Sequence, residues 1–169
     1  VTFVNVVGSV VEDAYQKVNG EVAGKNPTGA RYITSMIAGA EKMVVIMTDD
    51  ERGGVVVKPL DMSYVMDFKD MFYFQPEVVK PQSFGTHSIT YFEYVNNNGI
   101  LYRRENRENG YPKYGVAVKG DYEKIAPFDF FFSMVNYRAY FYDQGKERFI
   151  SMKCPLQYDE IITLPDDLT

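Results

Sequence analysis

The sequence is poor in the residue types from which metal centres and nucleophilic sites are built. Its 169 residues include one cysteine, one histidine and no tryptophan. A lone cysteine, Cys154, excludes an internal disulfide framework and any zinc site made of several thiolates. A serine- or cysteine-based nucleophilic site would have to use His87, whose place at a predicted strand start favours a structural role. No catalytic residue, metal site or cofactor is therefore predicted.

Positive charge and long apolar runs are also scarce. The 18 basic and 23 acidic residues give a formal charge of −5, which argues against a general nucleic-acid binder. No apolar stretch approaches the roughly 20 residues that span a bilayer. The first residues lack the basic region of a signal peptide, and Glu12 and Asp13 interrupt their apolar run. We expect membrane association only through a lipid anchor upstream of Val1.

The N-terminal part of the chain has a different pattern from the rest. Residues 9–19 are the best helical segment, with Ser9 placed to cap the helix and Glu12 to complete a capping box. Residues 20–30 contain three glycines and a proline, which is typical of a linker. From Arg31 onward, short β-rich runs alternate with turn residues. The sequence thus predicts an N-terminal extension over 1–30 and an all-β region over 31–169.

Similar hairpins recur along the all-β region. Residues 43–57, 100–118 and 139–152 each read as two apolar strands around a charged, glycine-containing tip. The pair Asn98-Gly99 is typical of a primed turn with positive φ. With an apolar run before each hairpin and a Tyr-containing segment after it (Tyr64, Tyr122 and Tyr158), the pattern predicts three antiparallel four-stranded units. Residues 67–87 are then an insertion between the first two units.

Four-stranded antiparallel units that recur at this spacing are typical of β-propeller blades, although a sandwich or barrel would also give such hairpins. Three blades cannot close a ring. We therefore expect further blades or a second copy of the chain beside the outer units, or residues 1–20 folded over one outer face.

The chain resembles the PKD-like family of surface lipoproteins from Bacteroidetes bacteria over about residues 61–165. The shared pattern is a glycine-hydrophobic-Tyr-Arg run, a Lys-aromatic-Gly segment, a Gly-Asp-Tyr step and an aromatic hairpin that ends in Arg-Phe; residues 68–84 also suit the family's strand end and connector. The matching residues are Gly99, Leu101, Tyr102, Arg103, Lys113, Tyr114, Gly115, Gly120, Asp121, Tyr122, Tyr142, Asp143, Arg148 and Phe149.

The resemblance implies a non-enzymatic ligand-binding or scaffold role at the bacterial outer-membrane surface, linked to glycan or nutrient uptake. The partner would be a glycan or a protein of the cell surface. The alternative is a glycoside hydrolase or lyase whose acidic site is completed by residues outside this chain. Paired carboxylates could support such chemistry, but Asp49-Asp50 and Asp166-Asp167 read as a hairpin tip and a tail.

Tyrosine and arginine side chains provide the best candidates for a binding surface. Most of the 14 tyrosines and 12 phenylalanines are expected in the core, but tyrosine can also stack on a sugar ring or fill an interface. A polar hairpin tip with several arginines could contact a partner, although cross-strand charge pairs are the favoured explanation. The candidate ligand-binding residues are Tyr91, Tyr94, Tyr102, Arg103, Arg104 and Tyr111.

Overall fold

A computed structural model describes residues 3–4, 10–11, 13–33, 42–87, 92–108, 111–127, 131–133, 138–153 and 161–163. Over these residues the chain is almost entirely antiparallel β-structure. It begins with a two-stranded hairpin, β1 (Phe3–Val4) and β2 (Val10–Val11), followed by the helix α1 (Ala14–Asn19). The all-β prediction is confirmed.

Three four-stranded sheets follow, and each is a meander of consecutive strands. Sheet 1 contains β3 (Pro27–Ile33), β4 (Met43–Thr48), β5 (Gly54–Val57) and β6 (Tyr64–Asp67). Sheet 2 contains β7 (Pro81–His87), β8 (Phe92–Asn97), β9 (Ile100–Glu108) and β10 (Tyr111–Ala117). Sheet 3 contains β11 (Phe131–Ser133), β12 (Arg138–Asp143), β13 (Arg148–Lys153) and β14 (Ile161–Thr163). A 3-10 turn (Phe68–Met71) follows sheet 1.

The three hairpins predicted from the sequence all form, but the repeat in the middle unit was predicted one strand out of register. Residues 100–118 form β9 and β10, the outer pair of sheet 2, whereas the other two hairpins are central pairs. Residues 81–87, predicted to be insertion, form β7, the first strand of sheet 2. Tyr122 lies in the connection after β10, and Tyr158 lies outside the described residues.

The N-terminal helix is shorter than predicted. Val10 and Val11 are in a strand, as suits two adjacent β-branched residues, so the helix predicted from Ser9 is wrong over these positions. The helix begins at Ala14, after Asp13 in a left-handed conformation and without a side-chain cap. The predicted capping box therefore cannot form at the observed helix start. The linker predicted over 20–30 ends at Asn26, because β3 begins at Pro27.

Alternation along the strands gives each central strand two apolar faces. In β4, Val45 and Met47 pack against sheet 2, in one cluster with Val95 of β8 and Tyr114 of β10. Tyr94, on the opposite face of β8, packs against Phe141 of sheet 3, with the ring centroids 5.5 Å apart. Sheets 1, 2 and 3 therefore pack face to face in chain order.

The remaining face of sheet 1 is covered by the N-terminal segment. Tyr15 and Ala23 are buried in one cluster with Ile46, Val55 and Val57 of β4 and β5. The expectation that residues 1–20 cover one outer face is thus confirmed for Ala14 and Tyr15. The helix itself has only six residues, so its stability comes from this packing rather than from helix propensity.

The two-residue turn at Asn98-Gly99 generates a specific prediction. Both residues have positive φ, 52° and 88°, as the primed turn requires. A Cβ at Gly99 would also lie 2.6 Å from Cγ of Lys124. We expect Gly99→Val to lower the free energy of unfolding by about 1 kcal/mol or more, measured by urea denaturation.

Gly20→Val provides the matched control, because Gly20 has φ of 78° but no heavy atom within 4 Å of an added Cβ. The difference between the two variants isolates the crowding at Lys124. An unchanged unfolding midpoint for Gly99→Val would contradict the observed turn.

Candidate functional site

One polar contact recurs at the central hairpin tip of all three sheets. A polar residue at the end of the second strand, or two residues after that end in sheet 1, holds the connection that leads into the same sheet. We call Asp50, Asn97 and Asp143 the tip residues, and Lys25, Lys80 and Lys124 the connection lysines. The tip residues recur at intervals of 47 and 46 residues.

The side-chain bond of this contact is nearly the same in each unit. A side-chain oxygen of the tip residue accepts the backbone N–H of the connection lysine, at 2.7, 2.6 and 2.9 Å in order. The lysine carbonyl in turn accepts a backbone N–H from the tip, at 3.2, 2.8 and 2.7 Å. The donor of this second bond precedes the tip residue in sheet 1 and follows it in sheets 2 and 3. These paired bonds satisfy backbone groups that the sheets leave unpaired.

The Asp143 carboxylate accepts further backbone N–H groups besides that of its connection lysine. This carboxylate is fully buried and also accepts the N–H groups of Glu123 and Gly145, both at 3.1 Å. A buried carboxylate is tolerated only where such donors replace water. This acidic side chain therefore supports the fold.

At the tip of sheet 1, the hairpin that carries the tip residue Asp50 borders an open cleft. The cleft has a volume of about 540 Å³ and lies between the β4–β5 tip and the segment that leads to β7. Its rim includes an ion pair between Asp49 and Lys80, 2.9 Å apart, with both side chains about half exposed. The lining is predominantly polar and comprises Asp49, Asp50, Glu51, Lys69, Gln75, Pro76, Glu77, Val78, Val79 and Lys80.

Two exposed aromatic residues immediately precede the cleft-lining segment. Tyr73 is 41% exposed and Phe74 is 68% exposed, although large aromatic side chains are usually buried. The N–H of Tyr73 donates to the carbonyl of Tyr114 at 2.9 Å, which fixes this segment against β10. Exposed rings beside a cleft that offers both donors and acceptors can bind a ligand with an apolar face and polar edges.

The ion pairs around Arg52 hold the outer side of this region in place. The Arg52 guanidinium donates to Asp67 at 2.8 Å and lies 5.9 Å from the Tyr64 ring centroid. Its second contact, with Glu21 at 3.6 Å, reaches the N-terminal segment. Lys69, which lines the cleft, lies 3.7 Å from the same Asp67 carboxylate. The cluster therefore links the N-terminal segment, the hairpin tip and the cleft wall.

The candidate residues from the sequence do not form one exposed site. Tyr94 is 1% exposed and belongs to the core between sheets 2 and 3. Tyr102 points to the opposite face of sheet 2, where its ring lies 5.1 Å from that of Phe72. Arg103 pairs with Tyr94 across β8 and β9 and is half-buried. Tyr91 lies outside the described residues, and Tyr111 is described only as part of β10.

Arg104 forms a buried ion pair with Glu93 on the face of sheet 2 that meets sheet 1. Only 6% of the Arg104 side chain and 7% of the Glu93 side chain are exposed. Tyr114 lies opposite Arg104 across β9 and β10, and its burial raises its pKa above the ordinary value. Arg104 is therefore an internal partner of Glu93.

The sequence analysis did not identify the cleft or its exposed rings. Tyr73 and Phe74 belong to a segment predicted to be a strand end and connector. An available signal was their place just before Pro76, because proline is typical of non-regular connections in which an aromatic ring need not alternate into a core. The position of Glu77 in the cleft lining could not be predicted from the sequence, since a single glutamate in a connection is ordinary.

Comparison of the chain with models of known protein families, with curated proteins and with solved structures found no match. Within the described ranges, no group of three or more His, Cys, Asp or Glu side chains is placed to hold a metal ion. No helix in the part of the chain that the structure describes is long and apolar enough to cross a membrane.

The tip contact of sheet 1 predicts a pH dependence. Burial raises the pKa of Asp50, but hydrogen bonds from the N–H groups of Lys25 and Arg52 and from the Thr48 hydroxyl outweigh it, so the pKa lies below its ordinary value of 3.8. A lowered pKa stabilises the fold above pH 3.8, and this contribution is lost as pH falls through the folded-state pKa. We expect Asp50→Asn to destabilise the protein near pH 7, and the difference from wild type to shrink below pH 3.8.

Denaturation midpoints measured from pH 2.5 to 7 test this expectation. Asp70→Asn is the control, because Asp70 is exposed and its side chain accepts a long 3.4 Å hydrogen bond from Gln75. A wild-type-to-Asp50→Asn difference that stays constant across this range would contradict the role assigned to the Asp50 carboxylate.

The buried ion pair between Glu93 and Arg104 predicts strong energetic coupling between substitutions at these two positions. Glu93→Gln or Arg104→Met alone leaves a buried charge without its partner and is expected to cost about 3–5 kcal/mol. The double variant is expected to recover much of this loss, as measured in a double-mutant cycle. The exposed pair Asp49–Lys80 provides the comparison, with coupling below about 1 kcal/mol. Additive effects at Glu93 and Arg104 would show that they do not act as a pair.

Proposed function

We propose that this chain is a non-catalytic binding and scaffold part of a β-propeller, in which each four-stranded sheet is one blade. The propeller is supported by three meanders packed face to face in chain order and by a tip contact that recurs at intervals of 47 and 46 residues. Because sandwiches and barrels do not require such a repeat, it favours blades over either of them.

The observation that supports binding is the open cleft at the tip of sheet 1, whose lining segment directly follows the exposed Tyr73 and Phe74 in the chain. Its volume falls within the range of small-ligand sites. A neutral glycan fits this chemistry, because aromatic faces stack on sugar rings while carboxylates, amides and ammonium groups bond to hydroxyls. The resemblance to PKD-like surface lipoproteins supports an exported role at the outer-membrane surface, with a lipid anchor upstream and a glycan or surface protein as partner.

A glycoside hydrolase or lyase is the second candidate, because Asp49, Glu51 and Glu77 line the same cleft. Against it, Asp49 is paired with Lys80, and the Asp50 carboxylate holds backbone N–H groups. The two functions differ in outcome, since a binding surface retains its glycan unchanged and an enzyme releases products.

Affinity electrophoresis through gels that contain neutral polysaccharides tests the proposal. We expect the wild type to be retarded by at least one polysaccharide, and the double variant Tyr73→Ala/Phe74→Ala to bind about tenfold or more weakly, a loss of about 1.4 kcal/mol or more. Leu60→Ala is the control, because Leu60 is 95% exposed and does not line the cleft.

Reducing-sugar release is measured in the same samples. Retardation without product supports the binding function. Product formation that Glu77→Gln abolishes would establish the enzyme instead, and equal retardation of wild type and double variant would show that the rings do not bind the ligand.

A further inference from the structure

The repeat assigns equivalent positions to the three sheets. We call the face that a sheet presents to the next sheet in the chain its forward face. Three residues before the tip residue, the forward face carries Met47 in sheet 1, Tyr94 in sheet 2 and Tyr140 in sheet 3. Met47 and Tyr94 are buried against the following sheet. Tyr140 is half-buried, and its face of sheet 3 points away from sheet 2.

The third strands of sheets 2 and 3 also differ in the burial of equivalent side chains, and the difference is larger there. Leu101 in β9 pairs with Asn96, the residue before the tip residue of sheet 2, and is fully buried. Phe149 in β13 pairs with Tyr142, which holds the same place in sheet 3, and is 39% exposed. The rings of Tyr142 and Phe149 lie 5.1 Å apart, so the forward face of sheet 3 carries an aromatic pair where sheet 2 has its inter-sheet core.

The residue before the tip residue has a further role in sheet 2. The Asn96 amide donates to the carbonyls of Ile125 and Ala126, both at 3.1 Å, in the connection that leads to sheet 3. The tip of sheet 1 also reaches the connection of the next sheet, through the ion pair between Asp49 and Lys80. Tyr142 occupies the position of Asn96 in sheet 3, because Asn97 and Asp143 are each the last residue of the second strand.

We propose that the forward face of sheet 3 binds a fourth antiparallel sheet of the same repeat, carried by the same natural polypeptide. The proposal rests on the propeller part of the proposed function. The partner sheet presents an apolar face like that of Val95 and Tyr102 in sheet 2 or of Phe141 and Ile150 in sheet 3. Tyr142 contacts the backbone of its connection, in which a lysine precedes a proline, as in Lys25–Pro27, Lys80–Pro81 and Lys124–Pro127.

The fourth sheet is placed in the same polypeptide because of the two sheet–sheet interfaces that the structure contains. Each joins sheets that are consecutive in the chain, through the connections over residues 68–80 and 118–130. Because such a link holds the next sheet at high effective concentration, the intramolecular sheet is favoured over a second copy. A sheet with an aromatic pair on its forward face also gains apolar burial from this neighbour.

Hydroxyl-radical footprinting of the natural polypeptide, read by mass spectrometry, tests the interface. Phe74 serves as the exposed reference. We expect Phe149 and Tyr142 to be modified several-fold more slowly than Phe74, at a rate that does not depend on protein concentration. We also expect Phe149→Glu to lower the thermal midpoint more than Phe74→Glu does.

Modification of Phe149 at the rate of Phe74 would overturn the proposal. Protection that disappears on dilution would also overturn it, because it would identify a second copy as the occupant. These outcomes are separate from the glycan test, since ligand retardation depends on Tyr73 and Phe74, whose segment is held against β10 of sheet 2, and not on the forward face of sheet 3.

Discussion

Sheet 1 is apolar on both faces, and the packing order of the structure follows from that constraint. All four residues of β5 and five of the six residues of β4 are buried. A sheet of this kind cannot leave either side in water, so it needs a neighbour on each face. Sheet 1 meets this need with sheet 2 on one side and the N-terminal segment on the other. The order of packing therefore follows the order of the chain.

Face-to-face packing alone would not fix how the sheets are aligned, because apolar contacts are not directional. Between sheets 2 and 3, direction comes from Asn96, the residue before the tip residue of sheet 2. Asn96 is fully buried, and its side chain contacts both its own turn, through the N–H of Gly99 at 2.9 Å, and the carbonyls of the next connection. Buried polar groups with all their partners present specify one arrangement, because any shift would leave them unpaired. This polar contact thus sets the register between sheets 2 and 3.

Much of the fold could be predicted from local patterns, and the failures have a physical reason. The β-rich runs and the Asn98-Gly99 turn are encoded by neighbouring residues, so all three hairpins were predicted correctly. The register of sheet 2 was predicted wrongly because its central turn has only two residues, while the long polar run that reads as a hairpin tip forms the ends of β9 and β10 in its outer hairpin. A pattern that assigns the longest tip to the centre therefore selects β9–β10. Which tips contact a connection depends on residues far apart in sequence.

For the candidate site, too, local patterns predict the face on which a side chain lies but not whether it is exposed. Alternation places Tyr94 and Tyr102 on opposite faces of sheet 2, but both faces are covered, and only the packing of sheets reveals this. Exposure of Phe74 depends on how the segment before β7 is held against Tyr114, more than thirty residues away. No local pattern encodes that contact. Residues selected for aromatic or basic character alone were therefore drawn mainly from the core.

The tips of sheets 1 and 2 contact the next connection in different ways. At the tip of sheet 2, the buried Asn96 amide donates directly to the backbone carbonyls of Ile125 and Ala126, both at 3.1 Å. At the tip of sheet 1, the exposed Asp49 carboxylate reaches the next connection through the Lys80 side chain, 2.9 Å away. Both side chains of this ion pair are about half exposed, and both line the 540 Å³ cleft. An exposed ion pair at this tip, in place of a buried amide contact, therefore leaves room for the cleft on which the proposed binding function depends.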